Sequence, residues 1–276
     1  GTASEDGALT LLPEIKRDIQ QKLGYLPLAT SLHVVRPFLF PNYYPDEWLQ
    51  FVRPEHIKLS LEFRDSETGE LQDEFPLKSN IFAHPTRDVA LMFADIDAMS
   101  GVPSIQDATE ADRIDMMSTI ERLATLEELT KLQISDDVVN DEDMLHFGGH
   151  LLNAEAHEES CRPRPALIDG HVACCIEDPR MVLADTDQVL QAGMCGGPVL
   201  NSSLDCVGLI EGIVQNAAAT NNQTGLQLKD GAAAVLPAVV LEELFIDVFN
   251  GSAGERDLDG GMGQFDEQPP PAASVV

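Results

Sequence analysis

One short segment, GMCGGPVLN over residues 193–201, has the composition of a loop that presents a reactive thiol. A nucleophile in acyl transfer needs a base within reach, an acid that orients the base, and backbone N–H groups directed at the developing oxyanion. Glycines on both sides of Cys195 allow a sharp turn that exposes the thiol and these N–H groups. Pro198 fixes φ where the next strand begins. We therefore predict that Cys195 is presented for chemistry, with the N–H groups of Gly193 and Cys195 forming an oxyanion hole.

Three separated motifs resemble those of trypsin-like peptidases. The segment GMCGGPVLN, followed by CVGLI, is similar to the family's GxSGGPlxN…VxG signature with cysteine in place of serine. The upstream Thr186-Asp187 resembles the high-temperature-requirement A branch of the family. LATSLHVV resembles the segment that bears the catalytic histidine, and HPTRDVALMFA resembles the segment that bears the catalytic aspartate. The resemblance implies a peptidase in which His33 is the general base, Asp88 orients it and Cys195 is the nucleophile, in the chain order of chymotrypsin-like enzymes.

Short strand candidates separated by glycine-containing turns occur on both sides of residues 103–145. This pattern favours an all-β barrel or sandwich that ends in a helix over residues 238–249. The family resemblance implies two six-stranded β-barrels of the chymotrypsin type, with the active site in the cleft between them. In the closing helix, helical spacing places four apolar residues on roughly one face: Val239, Val240, Leu244 and Val248.

The same patterns divide the chain into four segments. We expect an N-terminal barrel with the histidine and aspartate motifs over 1–95, an acidic helical insertion over 96–145, a C-terminal barrel with the closing helix over 146–249, and a disordered tail over 250–276. The family has one or two strands before the histidine motif, whereas residues 11–23 have a helical pattern. This leaves open whether the first barrel is complete. Within this insertion, residues 103–145 are a candidate docking arm for a protein partner.

Residues that contact a substrate are expected on both sides of the nucleophile. Val189 lies six residues before Cys195, near the base of the family's main specificity pocket. Valine there favours a small or apolar side chain in a polypeptide substrate. Ile210, Glu211 and Gly212 lie in the apolar strand that follows the nucleophile motif, and we expect them to line the path of the substrate.

The charge and the cysteine content argue against several classes of protein. The net charge of −30 comes from 47 acidic and 17 basic residues, so the surface repels a nucleic-acid backbone. The sequence has no run of eighteen or more apolar residues, so we expect no membrane span. The cysteines are odd in number, two are adjacent and none forms a CxxC pair, which argues against a disulfide scaffold and favours a reducing, intracellular compartment. The five are Cys161, Cys174, Cys175, Cys195 and Cys206.

Histidines and acidic residues over 146–159 form a candidate metal cluster. Its members are His146, His150, His157, Glu158 and Glu159. Gly148-Gly149 disfavours the helix that would place the first two histidines on one face, and HExxH is absent. We therefore predict solvated strand or loop positions for these residues, with no metal site and no cofactor.

Three interpretations of Cys195 remain open from the sequence. In the first, it is the nucleophile of a peptidase. In the second, the protein is a catalytically inactive pseudoprotease that acts as a scaffold or peptide-binding subunit. Cys195 is then a small buried residue, His33 a partly buried histidine at a strand end, and Asp88 an aspartate in a turn. In the third, Cys195 is a redox-sensing thiol without peptidase activity. The distance between the imidazole and the sulfur bears most directly on this choice.

Overall fold

The computed structural model describes residues 25–40, 44, 47–65, 68–95, 121, 124, 132–135, 139–151, 164–177, 180–214 and 231–251. Within these ranges the strands are β1 (Tyr25–Thr30), β2 (Ser60–Arg64), β3 (Leu71–Pro76), β4 (Phe82–Ala83), β5 (Ala90–Ala94), β6 (Met144–Leu151), β7 (Arg164–Ile176), β8 (Met181–Thr186), β9 (Pro198–Leu200), β10 (Cys206–Val214) and β11 (Ala232–Pro237). The α-helices with described bounds are α1 (Leu32–Val35) and α2 (Ala238–Phe249), and the short 3-10 helices are Pro37–Leu39, Glu47–Phe51, Pro54–His56 and Ala192–Met194. None of the helices in the described part of the chain is long and apolar enough to cross a membrane.

The C-terminal half folds into a closed barrel of six antiparallel strands in the order β10-β11-β8-β7-β6-β9. Alternate residues of a strand point to the same face, so Leu145 and Phe147 of β6 both enter the apolar interior. β10 pairs with β9 on one side and with β11 on the other, and this double pairing helps close the barrel. The prediction of an all-β fold with a closed six-stranded barrel and a closing helix is confirmed.

The N-terminal half contributes a three-stranded sheet in the order β1-β5-β4 and a β2-β3 hairpin. All residues of the central strand β5 are buried, because the two faces of the strand meet two different apolar clusters. Leu91 and Phe93 face the cluster that contains α2, whereas Ala90 and Met92 face the cluster that contains α1. The described strands of this half form no second closed barrel. Of the two predicted barrels, the C-terminal one is therefore closed among the described residues.

The closing helix α2 has the bounds that the sequence predicts. Its buried face includes Val240, Leu241, Leu244 and Val248, whereas Val239 is 41% exposed. The prediction that Val239 lies on the same face as Val240, Leu244 and Val248 is wrong. At about 100° per residue, Leu244 and Val248 fall between the directions of Val240 and Leu241, while residue 239 points well away from their common stripe.

A shared apolar cluster joins the two halves of the molecule. It combines α2 with Leu91 and Phe93 of the N-terminal sheet and with Leu209 and Leu236 of the barrel. Hydrophobic burial is the main favourable term in folding and has no directional preference, so this cluster holds the halves together without fixing their register. More specific contacts must set how the two halves are aligned.

Such contacts occur beside the predicted nucleophile. Ser31 is buried, and its Oγ donates to the carbonyl oxygen of Ile210 at 3.2 Å. Gly196 has a φ of +79°, and a Cβ at this position would lie 2.1 Å from Oγ1 of Thr30. Glycine is therefore required at position 196 both by its backbone conformation and by the closeness of the opposite half.

The end of the predicted insertion belongs to the barrel. Glu121 and Ala124 are helical, but Ser135 donates its N–H to the carbonyl of Cys206 at 2.9 Å, and β6 begins at Met144. The sequence places the start of the C-terminal barrel at residue 146, whereas the chain already pairs with the first residue of β10 before it enters β6. The rest of the insertion, the predicted helix over 11–23 and the tail after Gly251 lie outside the described residues.

Replacing Gly196 by alanine should destabilise the protein more than the same change at Gly251. Both glycines have positive φ values, +79° and +71°, so each alanine incurs a left-handed backbone cost of about 1–2 kcal/mol. At Gly196 the new Cβ also meets Oγ1 of Thr30 at 2.1 Å and the nitrogen of Ser31 at 2.8 Å, whereas at Gly251 it meets nothing within 4 Å. We expect an additional loss of about 1–3 kcal/mol in the free energy of unfolding at position 196, measured by urea denaturation. Equal losses would contradict close contact between the halves there.

Candidate active site

The predicted base and its orienting acid contact each other. His33 lies in α1, directly after β1, and its side chain is only 2% exposed. Asp88 lies in the turn from β4 to β5, where the N–H of His84 donates to the carbonyl of Val89 at 3.0 Å. Oδ1 of Asp88 accepts the backbone N–H of His33 at 2.9 Å, and Oδ2 contacts Nδ1 of the imidazole. Because both carboxylate oxygens are engaged, the ring is held in one orientation, with Nε2 remaining for another partner.

Cys195 reaches the same imidazole from the other half of the molecule. It follows the 3-10 helix Ala192–Met194 and precedes β9, and it is 8% exposed. Its side chain lies close enough to that of His33 to raise the pKa of the imidazole. The structure therefore brings His33, Asp88 and Cys195 together from three separate segments of the chain.

The imidazole of His33 binds its proton unusually tightly. Burial lowers its pKa, but hydrogen bonds to Asp88 and Cys195, together with negative charge on both groups, outweigh burial and raise the pKa from 6.5 to about 9. Hydrogen bonds and opposite charges that favour the charged form are the general cause of such shifts. The imidazole of His33 therefore keeps its proton to a higher pH than an ordinary histidine does.

Two aromatic residues that the sequence patterns did not single out flank this imidazole. The ring centroids of Phe40 and Tyr44 lie 6.1 and 6.3 Å from that of His33. The hydroxyl of Tyr44 also donates to the carbonyl of His33 at 3.1 Å. Burial, with negative charge on Cys195 and Asp88, raises the pKa of Tyr44 to about 12, so the phenol keeps its proton at neutral pH. The aromatic-rich composition of this loop was the available signal, but composition does not say which ring faces the site.

The backbone beside Cys195 is organised by internal hydrogen bonds. The N–H groups of Met194, Gly196 and Gly197 donate to backbone carbonyls of the loop and of β10. Gly193 and Cys195 supply the other N–H groups of the same turn, and they are the pair that the sequence predicts for the oxyanion hole. That role remains a prediction.

The predicted substrate-contacting residues have different surroundings. Val189 is 67% exposed and lies against the residue that precedes β11. The carbonyl of Ile210 accepts hydrogen bonds from both halves of the molecule, so Ile210 lies beside the nucleophile loop. Gly212 is buried within β10. The carboxylate of Glu211 has an internal partner, the guanidinium of Arg87.

The other three described thiols lie outside the candidate site. Burial raises the pKa of Cys174, Cys175 and Cys206. Cys175 is nevertheless exposed, whereas Cys206 is buried at the start of β10. Cys161 lies outside the described residues.

The candidate metal cluster is only partly described. His146 and His150 lie four residues apart on β6. Nδ1 of His146 is 2.7 Å from Oδ1 of Asp169. Among the described residues no three potential ligands are grouped to hold a metal ion. The other predicted members, at 157–159, lie outside these residues.

Several solved structures are similar to this chain at low sequence identity. The MamO protease domain from Magnetospirillum magneticum is 16% identical, with a TM-score of 0.41 over 79% of this chain and 81% of that one. The HtrA-type protease AlgW with a decapeptide is 12% identical (TM-score 0.44), and the serine endoprotease from Yersinia pestis is 10% identical (TM-score 0.45). The last two matches each cover 82% of this chain, which spans 49% of the AlgW chain and 55% of the Yersinia pestis chain. No protein-family model matches the sequence, and no curated protein matches it either.

The raised pKa of His33 predicts how stability depends on pH. The folded-state pKa of about 9 lies above the unfolded value of 6.5. The contribution of the imidazolium is therefore fully present below the unfolded pKa and is lost as the pH rises through the folded one. The shift corresponds to on the order of 3 kcal/mol. We expect the difference in unfolding free energy between wild type and His33→Gln, measured by urea denaturation, to shrink across this window.

His84→Gln is the matched control for this measurement. Burial, followed by the nearby charge of Arg87, lowers the pKa of His84. A histidine with a lowered pKa reduces stability as the pH falls through its unfolded pKa. His84→Gln should therefore change the free energy of unfolding below that pKa and not above it. A His33→Gln difference that stays flat between pH 6.5 and about 9 would contradict the pairing of His33 with Asp88 and Cys195.

Proposed function

We propose that the protein is a trypsin-like endopeptidase with a Cys195–His33–Asp88 triad. The observation that carries this proposal is the buried imidazole of His33, which contacts Asp88 and has Cys195 as its other close neighbour. A nucleophile, a base and an orienting acid in contact in this order are the minimum arrangement for covalent catalysis of acyl transfer. The closed β-barrel that carries Cys195 is further support.

The raised pKa of His33 is compatible with cysteine chemistry. A serine nucleophile requires a neutral imidazole to remove its proton, whereas a raised imidazole pKa of about 9 favours the protonated ring. In cysteine peptidases generally, the attacking group is a thiolate that is paired with an imidazolium before substrate binds. His33 then acts first as an acid, which refines the general-base role that the motif implies.

Each step of the proposed reaction uses groups of this chain. The sulfur of Cys195 attacks the scissile carbonyl carbon, and the N–H groups of Gly193 and Cys195 stabilise the oxyanion. His33 donates its proton from Nε2 to the leaving amide nitrogen, the C–N bond breaks and a thioester remains on Cys195. Neutral His33 then removes a proton from a water molecule that attacks the thioester. The carboxylic acid leaves, and the thiolate–imidazolium pair is restored without a metal or cofactor.

The aromatic rings beside His33 support the ion pair. The rings of Phe40 and Tyr44 lie next to the imidazole, which is itself buried. A lower local dielectric strengthens the attraction between the imidazolium and its anionic partners. Tyr44 also holds the backbone of α1 through its hydrogen bond to the carbonyl of His33.

The proposed substrate is a polypeptide with a small or apolar side chain at the main specificity position. Val189, assigned to that position, offers no charge for a lysine or arginine side chain. A reducing, intracellular compartment is proposed because the mechanism needs a free thiol. Within residues 103–145, the part that precedes the pairing with the barrel is proposed as the docking arm for a protein partner.

A non-catalytic, peptide-binding pseudoprotease is the alternative. The observation that favours it is the limited exposure of Cys195, at 8%, which restricts direct access of a carbonyl group to the sulfur. The two functions differ in what happens when the thiol is removed. A peptidase loses cleavage, whereas a scaffold has no cleavage to lose.

Cys195 should be the thiol that iodoacetamide alkylates most rapidly near neutral pH. His33→Ala should slow its labelling about tenfold or more, equivalent to about 1.4 kcal/mol of activation free energy. Peptide-resolved mass spectrometry gives the rates. The exposed thiol of Cys175 is the internal control, and its rate should be the same in both proteins. Equal labelling of Cys195 with and without the imidazole would refute activation by His33.

Cys195→Ala separates the peptidase from the scaffold. We expect wild type to cleave an unfolded, reduced polypeptide and the alanine variant to bind the same polypeptide without cleaving it, because the variant removes only the nucleophilic sulfur. Cleavage is followed by mass spectrometry of the fragments, and binding by fluorescence anisotropy. Binding by both proteins with cleavage by neither would support the scaffold instead.

A further inference from the structure

A nearly buried ion pair links the turn that carries Asp88 to the barrel. Nε and Nη2 of Arg87 donate to Oε1 and Oε2 of Glu211 at 3.1 and 2.6 Å. The side chains are only 11% and 12% exposed. Nη1 of Arg87 also donates to the backbone carbonyl of Arg180 at 2.5 Å. The guanidinium is therefore held at three nitrogens, and its two-point contact with a carboxylate fixes both distance and orientation.

The position of this pair in the chain connects the two parts of the site. Arg87 directly precedes Asp88, whose carboxylate orients His33. Glu211 directly follows Ile210, whose carbonyl accepts the N–H of Gly196 in the nucleophile loop at 2.8 Å. One end of the ion pair is therefore one residue from the orienting acid. Its other end is one residue from the strand position that anchors the loop of Cys195.

We propose that Arg87 and Glu211 form a positioning pair that sets the distance between the His33–Asp88 couple and the sulfur of Cys195. This inference rests on the proposed function and adds two residues to the site, neither of which touches the reacting atoms. Glu211 thereby has a structural partner where the strand pattern predicts a substrate contact. The two halves pack through apolar side chains that set no register, and this pair supplies a directional link next to the chemistry.

The proposed role depends on both charges being present. Removing only the guanidinium leaves the carboxylate of Glu211 largely buried and unpaired, which disturbs a site more than removing both partners does. Lysine at position 87 keeps the charge but lacks the planar fork, so it restores the pair only in part. Arg87→Met should therefore be the most harmful change, Arg87→Lys intermediate, and the double variant Arg87→Met/Glu211→Met milder than Arg87→Met alone.

Arg64 and Glu62 offer a matched control. They form an Arg–Glu ion pair of 2.6 Å within β2, with side chains 32% and 41% exposed. An exposed pair of this kind contributes little to stability, and this one does not join the two halves. Arg64→Met removes the same group as Arg87→Met and should leave the site unchanged.

The test measures two quantities in wild type, the three Arg87 variants, Glu211→Gln and Arg64→Met. The first is the alkylation rate of Cys195 by iodoacetamide, which we expect Arg87→Met to lower about ten- to a hundredfold, because small displacements of catalytic groups have effects of that size. The second is the downfield NMR resonance of the proton between His33 and Asp88, which should shift or broaden in the same variants. Rapid labelling of the buried Cys206 identifies any variant that unfolds. For such a variant, Glu211→Gln is used instead, because it keeps the size of the side chain and one hydrogen-bond acceptor.

The two readouts distinguish failure of this inference from failure of the proposed function. If alkylation of wild-type Cys195 depends on His33 but is unchanged in Arg87→Lys, Arg87→Met and Glu211→Gln, the positioning role is wrong and the peptidase proposal stands. If wild-type alkylation does not depend on His33, the peptidase proposal fails. In that case the resonance of the His33–Asp88 proton still tests the positioning role. An unchanged resonance in the Arg87 variants overturns that role, and a shifted resonance supports it.

Discussion

The contact of both Asp88 oxygens with His33 is the interaction on which the rest of the candidate site depends. One oxygen holds the backbone of α1 and the other holds the ring, so a single carboxylate positions both the helix and the imidazole it carries. The cost of burying an imidazolium is offset only if such partners are present. Without Asp88, His33 would lose its orientation and much of the stabilisation of its charge.

The second half of the site comes from a different part of the fold. Cys195 lies between a 3-10 helix and a barrel strand, while His33 and Asp88 belong to the N-terminal sheet and its turns. The site therefore exists only when the two halves are packed in register. The shared apolar cluster that contains α2 supplies apolar contact between them. Gly196, Ser31 and the Arg87–Glu211 pair supply the close and directional contacts near the thiol.

The strongly acidic composition acts on the site only weakly. A net charge of −30 favours a cation anywhere in the molecule, but exposed charges are screened beyond about 8–10 Å at ordinary ionic strength. The pKa of His33 is instead set by burial and by its two neighbours. Local geometry, and not the overall charge, makes the imidazole a suitable partner for a thiolate.

Local patterns in the sequence predicted the features that depend on local geometry. The bounds of α2 and the buried strands follow from periodicity, and the approach of His33, Asp88 and Cys195 was expected from three ordered motifs. The partner of Glu211 was not expected, because Arg87 lies 124 positions away and no local periodicity encodes that pairing. Tyr44 was missed for a similar reason, because the contact of its ring with His33 cannot be predicted from the residues next to it in the sequence. In α2, Leu241 is buried and Val239 is exposed, and this choice depends on the elements against which the helix packs.

Trapping of an acyl-enzyme tests the central claim most directly. An activated ester of a short peptide that ends in a small apolar residue is mixed with the protein, and the reaction is stopped in acid for intact-mass and peptide-mapping mass spectrometry. The account predicts a thioester on Cys195 that forms and then decays in wild type, and that does not accumulate in His33→Ala. A wild-type protein without an adduct on Cys195, or an adduct that forms equally fast without the imidazole, would contradict it.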